Sequence, residues 1–158
     1  MEVALKRIVS GGQRGPELAA LAAARHLGLR TYGWAPSGWI NENGKQESLL
    51  RSFNLIEGKN LSSWDRVRKN IELSEATIVF GRVTRPSISR IYNTCELLGK
   101  LWLINPSKEG LQLLLNQSEV SSLHVTGDRE SIAPGLQEIV RSFLVETIGE
   151  LYNDREDT

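Results

Sequence analysis

Four short segments carry most of the residues in this chain able to hold a small molecule. The first is Ser10-Gly11-Gly12-Gln13-Arg14-Gly15. Glycines let a backbone turn sharply and come close to a ligand. A helix starting behind such a turn supplies free N–H groups and the positive end of its dipole. Together these make an anion site, to which Arg14 adds charge. On this reading the N–H groups of Gly11 to Gly15 hold a terminal phosphate, with Ser10 and Gln13 beside it. The alternative is a tight turn with no ligand. The segment is neither a G-x-G-x-x-G nor a Walker loop, so an NAD or ATP enzyme is not indicated.

The second segment runs from Gly81 to Arg90 and contains Arg82, Arg85, Arg90, Thr84, Ser87 and Ser89. Guanidinium groups and hydroxyls bind oxyanions by charge-assisted hydrogen bonds, which makes Arg82, Arg85, Ser87 and Ser89 candidates. A solvated basic loop with Ser87 as a helix cap explains the same residues. The third segment, Thr126 to Ser131 followed by Pro134-Gly135, offers Gly127, Arg129 and Ser131. Here the competing explanation is an internal pair between Arg129 and Asp128 or Glu130, with Ser131 capping a helix. The fourth, Gly33 to Trp39, supplies Trp34 and Trp39 as rings that could stack on a flat ligand. Packing in a core or turn accounts for Trp34 equally well.

No residue of these segments stands out as catalytic. Glu17 and Glu130 are carboxylates near strand ends and could serve as general bases. Each is more simply an acid at a helix N-terminus. Cys95 reads as a small core residue. His26 and His124 are too far apart to suggest a metal pair, and no Cys/His cluster points to a metal held by the protein.

The elements that must position these segments alternate between strand and helix. Leu5–Ser10 reads as a buried strand, Pro16–Leu27 as a helix with Pro16 in its first turn and Gly28 as its stop, and Leu29–Trp34 as a strand. An irregular stretch from Ala35 to about Asn60 follows, long enough to suggest a functional loop. Ser62 or Ser63 caps a helix to about Leu73, and Ala76–Phe80 is a central strand. Then come a helix over Ser87–Leu98, a strand over Leu101–Ile104, a helix over Glu109–Gln117 and a strand over Ser122–Thr126. A final helix opens at Pro134 and runs to about Tyr152. This alternation predicts an α/β, three-layer Rossmann-like fold with a mostly parallel five-stranded sheet and helices on both faces. The expected strand order is 2-1-3-4-5, which sets strands 1 and 3 side by side at a switch point where ligands bind.

The bulk properties agree. The chain has 158 residues, enough for one domain, here 1–152 with a polar tail at 153–158 expected to fray. Its formal net charge is zero, which argues against nucleic acid as the main partner. No apolar run approaches membrane-span length, and the start of the chain lacks a secretory signal. One cysteine excludes an intrachain disulfide and suits a reducing cytoplasm. The broad apolar face of the last helix suggests a homo-oligomer.

Taken in order, the four segments resemble the putative molybdenum carrier family, Rossmann-like proteins related to the molybdenum-cofactor carriers. The family's Ser-Gly-Gly-Gln-Thr-Gly-Val-Asp-Arg-Ala-Ala-Leu is similar to Ser10–Leu21, and its Gly-Trp-x-Pro-x-Gly to Gly33, Trp34, Pro36 and Gly38. Arg66, Asn70, Ile71, Ser74, Glu75 and the strand Ala76–Phe80 match a third motif. His124–Gly135 resembles the late Asn-Val-Ala-Gly-Pro-Arg-Glu-Ser-x-x-Pro-Gly. The chain departs from the family at Arg14 (usually Thr), at Pro16-Glu17-Leu18 (usually Val-Asp-Arg), and at Arg85–Ser89, where a Gly-Gly-Thr-Ala-Leu-Thr turn is usual.

The resemblance implies a non-catalytic carrier of the molybdenum cofactor, a phosphorylated pterin (molybdopterin), in dimeric or tetrameric form. Failing that, the ligand is another small phosphate-containing anion. Two alternatives stay open. One is a nucleotide-processing enzyme of the lysine-decarboxylase-like phosphoribohydrolase group, although the Pro-Gly-Gly-x-Gly-Thr-x-x-Glu turn of that group is missing. The other is a sensor of nucleotide derivatives.

Overall fold

A computed structural model describes residues 3–156. Short apolar runs form the strands, and capped amphipathic runs form the helices between them. The order is β1 (Arg7–Val9), α1 (Pro16–Leu27), β2 (Arg30–Ala35), a 3-10 turn at Ser37–Trp39, β3 (Ile40–Asn41), β4 (Gly44–Lys45), α2 (Glu47–Ser52) and β5 (Leu55–Glu57). It continues with α3 (Ser63–Glu72), β6 (Ala76–Phe80), α4 (Pro86–Leu97), β7 (Leu101–Ile104), α5 (Lys108–Gln117), β8 (Ser122–Gly127) and α6 (Leu136–Glu156).

The helix ends follow from local chemistry. Pro16 starts α1 where its missing N–H costs nothing, and Gly28 stops it in the left-handed conformation at φ 74°. Ser62, rather than Ser63, caps α3: its Oγ accepts the Asp65 N–H at 3.0 Å. Ser107 does the same for α5 through the Gly110 N–H. The last helix opens at Leu136, two residues after Pro134, and its backbone continues past Tyr152 to Glu156. The remainder of the expected tail, residues 157–158, lies outside the described residues, as do residues 1–2.

Two expectations are corrected. The stretch between Ala35 and Asn60 is not irregular throughout. It folds into the β3–β4 hairpin, helix α2 and a sixth strand, β5. The sheet order is β5-β2-β1-β8-β6-β7, with every neighbouring pair parallel. The predicted order 2-1-3-4-5 placed the last strand at an edge. Instead β8 lies between β1 and β6: His124 is opposite Val9 on one side and Thr77 on the other. Burial explains the exchange. All of Ser122–Thr126 is buried, as is all of β6, whereas β7 is partly exposed. The strand withdrawn from water on both faces takes the centre.

Side chains alternate across the sheet, and the core divides accordingly. Leu123, Val125 and Ile78 pack with Ala20, Leu111, Leu144 and Ile148 under α1, α5 and α6. Val79 packs with Ile71, Ile88, Ile91 and Cys95 under α3 and α4, on the opposite face. A third cluster, including Leu21, Trp39, Leu50 and Leu55, seals the β5 edge. Because the strands are parallel, the turns after β1, β8 and β6 emerge side by side at one edge.

Candidate functional site

A cavity of about 350 Å³ opens at that edge, within the size range of small-molecule sites. Its walls come from the β1–α1 turn, the first turns of α3 and α4, and the turn after β8.

Glu17, at the start of α1, lies at its base and is 5% exposed. Its Oε1 accepts the Gln13 N–H and an Arg66 Nη1–H, each at 3.1 Å. Its Oε2 accepts the Thr126 hydroxyl at 2.9 Å. Arg66 reaches it from α3 and is itself buried, at 3% exposure. Burial pushes the Glu17 carboxyl toward higher pKa, but the Arg66 charge and the hydrogen bonds from Gln13 and Thr126 outweigh it. The group is held below its ordinary value. His124, buried behind them, shares a hydrogen bond between Nδ1 and the Thr77 hydroxyl at 3.0 Å. Burial, reinforced by Arg66 and opposed by Glu17, lowers its pKa to about 4. Its ring is neutral at ordinary pH. Gly11 makes the pair possible: a Cβ there would lie 1.6 Å from Arg66 Nη1.

Asp128 fixes a second wall. Its Oδ2 accepts the Arg82 N–H at 3.0 Å, and its Oδ1 forms an ion pair with Arg85 Nε at 2.9 Å. This ties the β6–α4 turn to the turn after β8. Above these groups the lining is largely apolar, with Val67, Ile88 and Ile91 beside the half-buried ring of Trp64. The Arg90 guanidinium lies 4.1 Å from the centre of that ring, a cation–π contact. Arg14 and Arg129 complete the lining on the glycine-loop side. Between them and Glu17 is Gln13, only 8% exposed, whose amide Oε1 is buried without a hydrogen-bond partner.

The structure brings together Gln13, Arg14, Ser87, Gly127 and Arg129 of the residues chosen from sequence. The others serve elsewhere. Ser10 is buried and donates its hydroxyl to the carbonyls of Val125 and Glu17. Gly12 lies against Leu50, and its carbonyl accepts from Asn41. The Gly15 N–H is taken by Gln137 Oε1 at 2.8 Å. With the Gln13 N–H given to Glu17, two of the loop's five N–H groups already serve protein acceptors, where a phosphate had been expected to take them all. Trp34 is tied to Asn70 through its backbone and lies under Lys69, outside the cavity. Trp39 is a core residue of the β5 edge. Arg82 has an exposed side chain, Arg85 is committed to Asp128, and Ser89 donates to the Pro86 carbonyl. Ser131 holds Glu42 of the β3–β4 turn.

Trp64, Arg66, Thr126 and Asp128, which line the cavity, and His124 behind them are not among the residues chosen from sequence, and Glu17 is considered there only as a general base or a helix-end acid. The clearest available signal was Ser122-x-His124-x-Thr126, a polar row in an otherwise apolar strand. Among the described residues there is no cluster of His, Cys, Asp and Glu suited to a metal ion, and no helix long and apolar enough to cross a membrane.

No curated protein matches the chain. A solved structure from Syntrophus aciditrophicus SB, described as a putative molybdenum carrier protein, has the same fold. It is 24% identical, with a TM-score of 0.79 over 93% of this chain and 96% of that one. The model of the circularly permutated YpsA SLOG family matches residues 8–148. That span takes in the glycine loop, the Arg66–Glu17 pair and every turn of the cavity edge, and the chain belongs to this family.

Proposed function

We propose that the cavity binds, without transforming it, a small ligand that joins a flat heterocyclic ring to a phosphate. The observation that carries this is Gln13. A buried amide oxygen without a partner costs roughly 1–3 kcal/mol, a loss that a ligand offering a donor recovers. Rotation about the soft terminal torsion turns the amide onto such a ligand. Trp64, Val67, Ile88 and Ile91 suit the faces of a ring, and Arg14 and Arg129 suit a phosphate.

A phosphorylated pterin has these parts. The molybdenum cofactor is therefore the first candidate cargo, in keeping with the description of the structural neighbour. Gln13 would meet the edge of the pterin and the arginines its phosphate, while its dithiolene would carry the metal. A nucleotide shares the same chemistry. Binding is favoured over acid–base catalysis because neither Glu17 nor His124 is poised near neutral pH. Glu17 is held ionised by three donors, and His124 stays neutral down to about pH 4.

The test is calorimetric titration with 6-hydroxymethylpterin phosphate, AMP and GMP, with thermal unfolding in parallel. A ligand at a hundred times its Kd stabilises the protein by about 2.7 kcal/mol, roughly 5–10 °C in Tm for a chain of this size. Gln13→Leu should bind the ligand at least tenfold more weakly and yet unfold at a higher temperature than the wild type, because an unsatisfied amide is removed. Unchanged Tm with every probe and with extracted cofactor would overturn the reading.

A further inference from the structure

The β3–β4 hairpin leans over the glycine loop. Asn41, buried at 6% exposure, donates its Nδ2 to the Gly12 carbonyl at 3.1 Å. Its Oδ1 accepts the Asn43 N–H at 2.8 Å, which closes the turn around Glu42. From that turn the Glu42 carboxylate reaches the β8–α6 connection. One oxygen accepts the Ser131 N–H at 3.2 Å, and the other accepts the Ser131 hydroxyl. The Ser131 hydrogen bonds, helped by the nearby charges of Arg129 and Arg14, hold the carboxyl below its ordinary pKa.

These are the contacts of an oxyanion site: an N–H and an O–H converging from one residue, with two guanidinium groups alongside. Both arginines also line the cavity. Glu42 and Ser131 are exposed at the surface, so the contact is open to exchange with solutes. We propose that the Glu42 carboxylate stands in for the phosphate of the ligand, which displaces it and frees the hairpin from Ser131. This rests on the binding function proposed above and assigns where the phosphate goes.

Three features make the exchange feasible. An exposed carboxylate contributes little net stability through such contacts. A phosphate monoester brings about twice the charge and three acceptor oxygens to the same donors. The hairpin itself is a two-stranded ribbon with two residues in each strand, a unit with little stability of its own. The ligand class is thus a phosphate monoester whose ring end extends from Arg14 and Arg129 toward Trp64. Glu42 lowers its apparent affinity, as any resident competitor does.

The experiment compares wild type, Glu42→Gln and Glu42→Ala by calorimetric titration with inorganic phosphate, AMP, GMP and 6-hydroxymethylpterin phosphate. Hydrogen exchange of residues 40–45 is followed with and without saturating probe. Glu42→Ala should bind about two- to fivefold more tightly than wild type, with Glu42→Gln between them. The hairpin amides of the wild type should exchange faster once probe is bound. Equal affinities for the three proteins, or hairpin amides that slow on binding, would overturn the stand-in role and leave the binding function intact. If no probe bound any of the three, the binding function itself would fall, and this inference with it.

Discussion

Replacing Arg66 by methionine isolates the buried pair that shapes the base of the cavity. Glu17 and Arg66 are 3.1 Å apart, and their side chains are 6% and 4% exposed. At an effective dielectric constant of about 20, opposite charges at that distance attract by about 5 kcal/mol. Most of this offsets the cost of burying the two ions. Arg66→Met keeps that cost for Glu17 and removes the compensation, so it should destabilise by about 3–5 kcal/mol at pH 8, roughly 6–20 °C in Tm. The dependence on pH identifies the cause. In the wild type the Glu17 carboxyl is held below its ordinary value of 4.5. Its contribution is therefore present above pH 4.5 and is lost as pH falls through the depressed pKa. In Arg66→Met the opposing charge is gone, burial dominates, and the pKa moves above 4.5. The penalty is then full above that raised pKa and shrinks as the carboxyl protonates. Urea unfolding of both proteins at pH 8 and pH 5 should show a smaller difference at pH 5. Adding Glu17→Gln to Arg66→Met should restore most of the loss, since paired sites are not additive. A cost under about 1 kcal/mol at pH 8, or equal costs at the two pH values, would refute the account.

His124 predicts a second acid-linked loss. The unfolded chain takes up the imidazole proton near pH 6.5, whereas the native ring does so only near pH 4, so stability present above pH 6.5 drains away as pH falls toward 4. Between pH 7 and 4.5 the wild type should lose roughly 2–3 kcal/mol more than His124→Gln in urea unfolding; equal losses would mean that the ring is not neutral in the fold. Trp64 and Trp34, both half-buried, separate cavity from scaffold. Trp64→Ala should weaken binding of AMP or 6-hydroxymethylpterin phosphate at least tenfold by calorimetry, since stacking on a ring is worth about 1–3 kcal/mol, while Trp34→Ala should leave affinity unchanged.

The alternation of strands and helices was legible because each element carries its own signal: Pro16 and Gly28 bracket α1, and the run Ala76–Phe80 is buried throughout. Sheet order carries no such local signal. Ser122-Leu123-His124-Val125-Thr126 alternates polar and apolar residues like a strand with one wet face, and nothing in it marks the centre of a sheet. The polar face is dry because its partners come from distant parts of the chain: Ser122 meets Glu75, His124 meets Thr77, and Thr126 meets Glu17. Candidate residues chosen for their position at strand ends fared similarly. Gln13, Arg14 and Arg129 reached the cavity, since a strand-end turn in a parallel sheet must open at that edge. Trp64 and Arg66 come from a helix and were beyond the reach of a search among strand-end loops. Arg82 and Arg85 failed as cavity residues because buried Asp128, whose partners the sequence does not specify, holds their turn.

A glycine turn ahead of a helix announces an anion, and here the chain answers that announcement itself, twice. Glu17 takes the Gln13 N–H within the loop, and Glu42 takes Ser131 across from it. The two carboxylates look alike as acceptors but differ in what surrounds them. Glu17 is buried against a buried arginine, so withdrawing either partner strands a charge out of water. No ligand of ordinary affinity can meet that cost, and the pair is a permanent part of the fold. Glu42 is in contact with water, next to cations that also face the cavity. When it leaves, its charge is solvated at once, and the donors it vacates are open to a stronger anion. Burial therefore decides which anion position is structure and which is site. On the binding function proposed above, the phosphate goes to Arg14, Arg129 and Ser131 rather than to the glycine N–H groups.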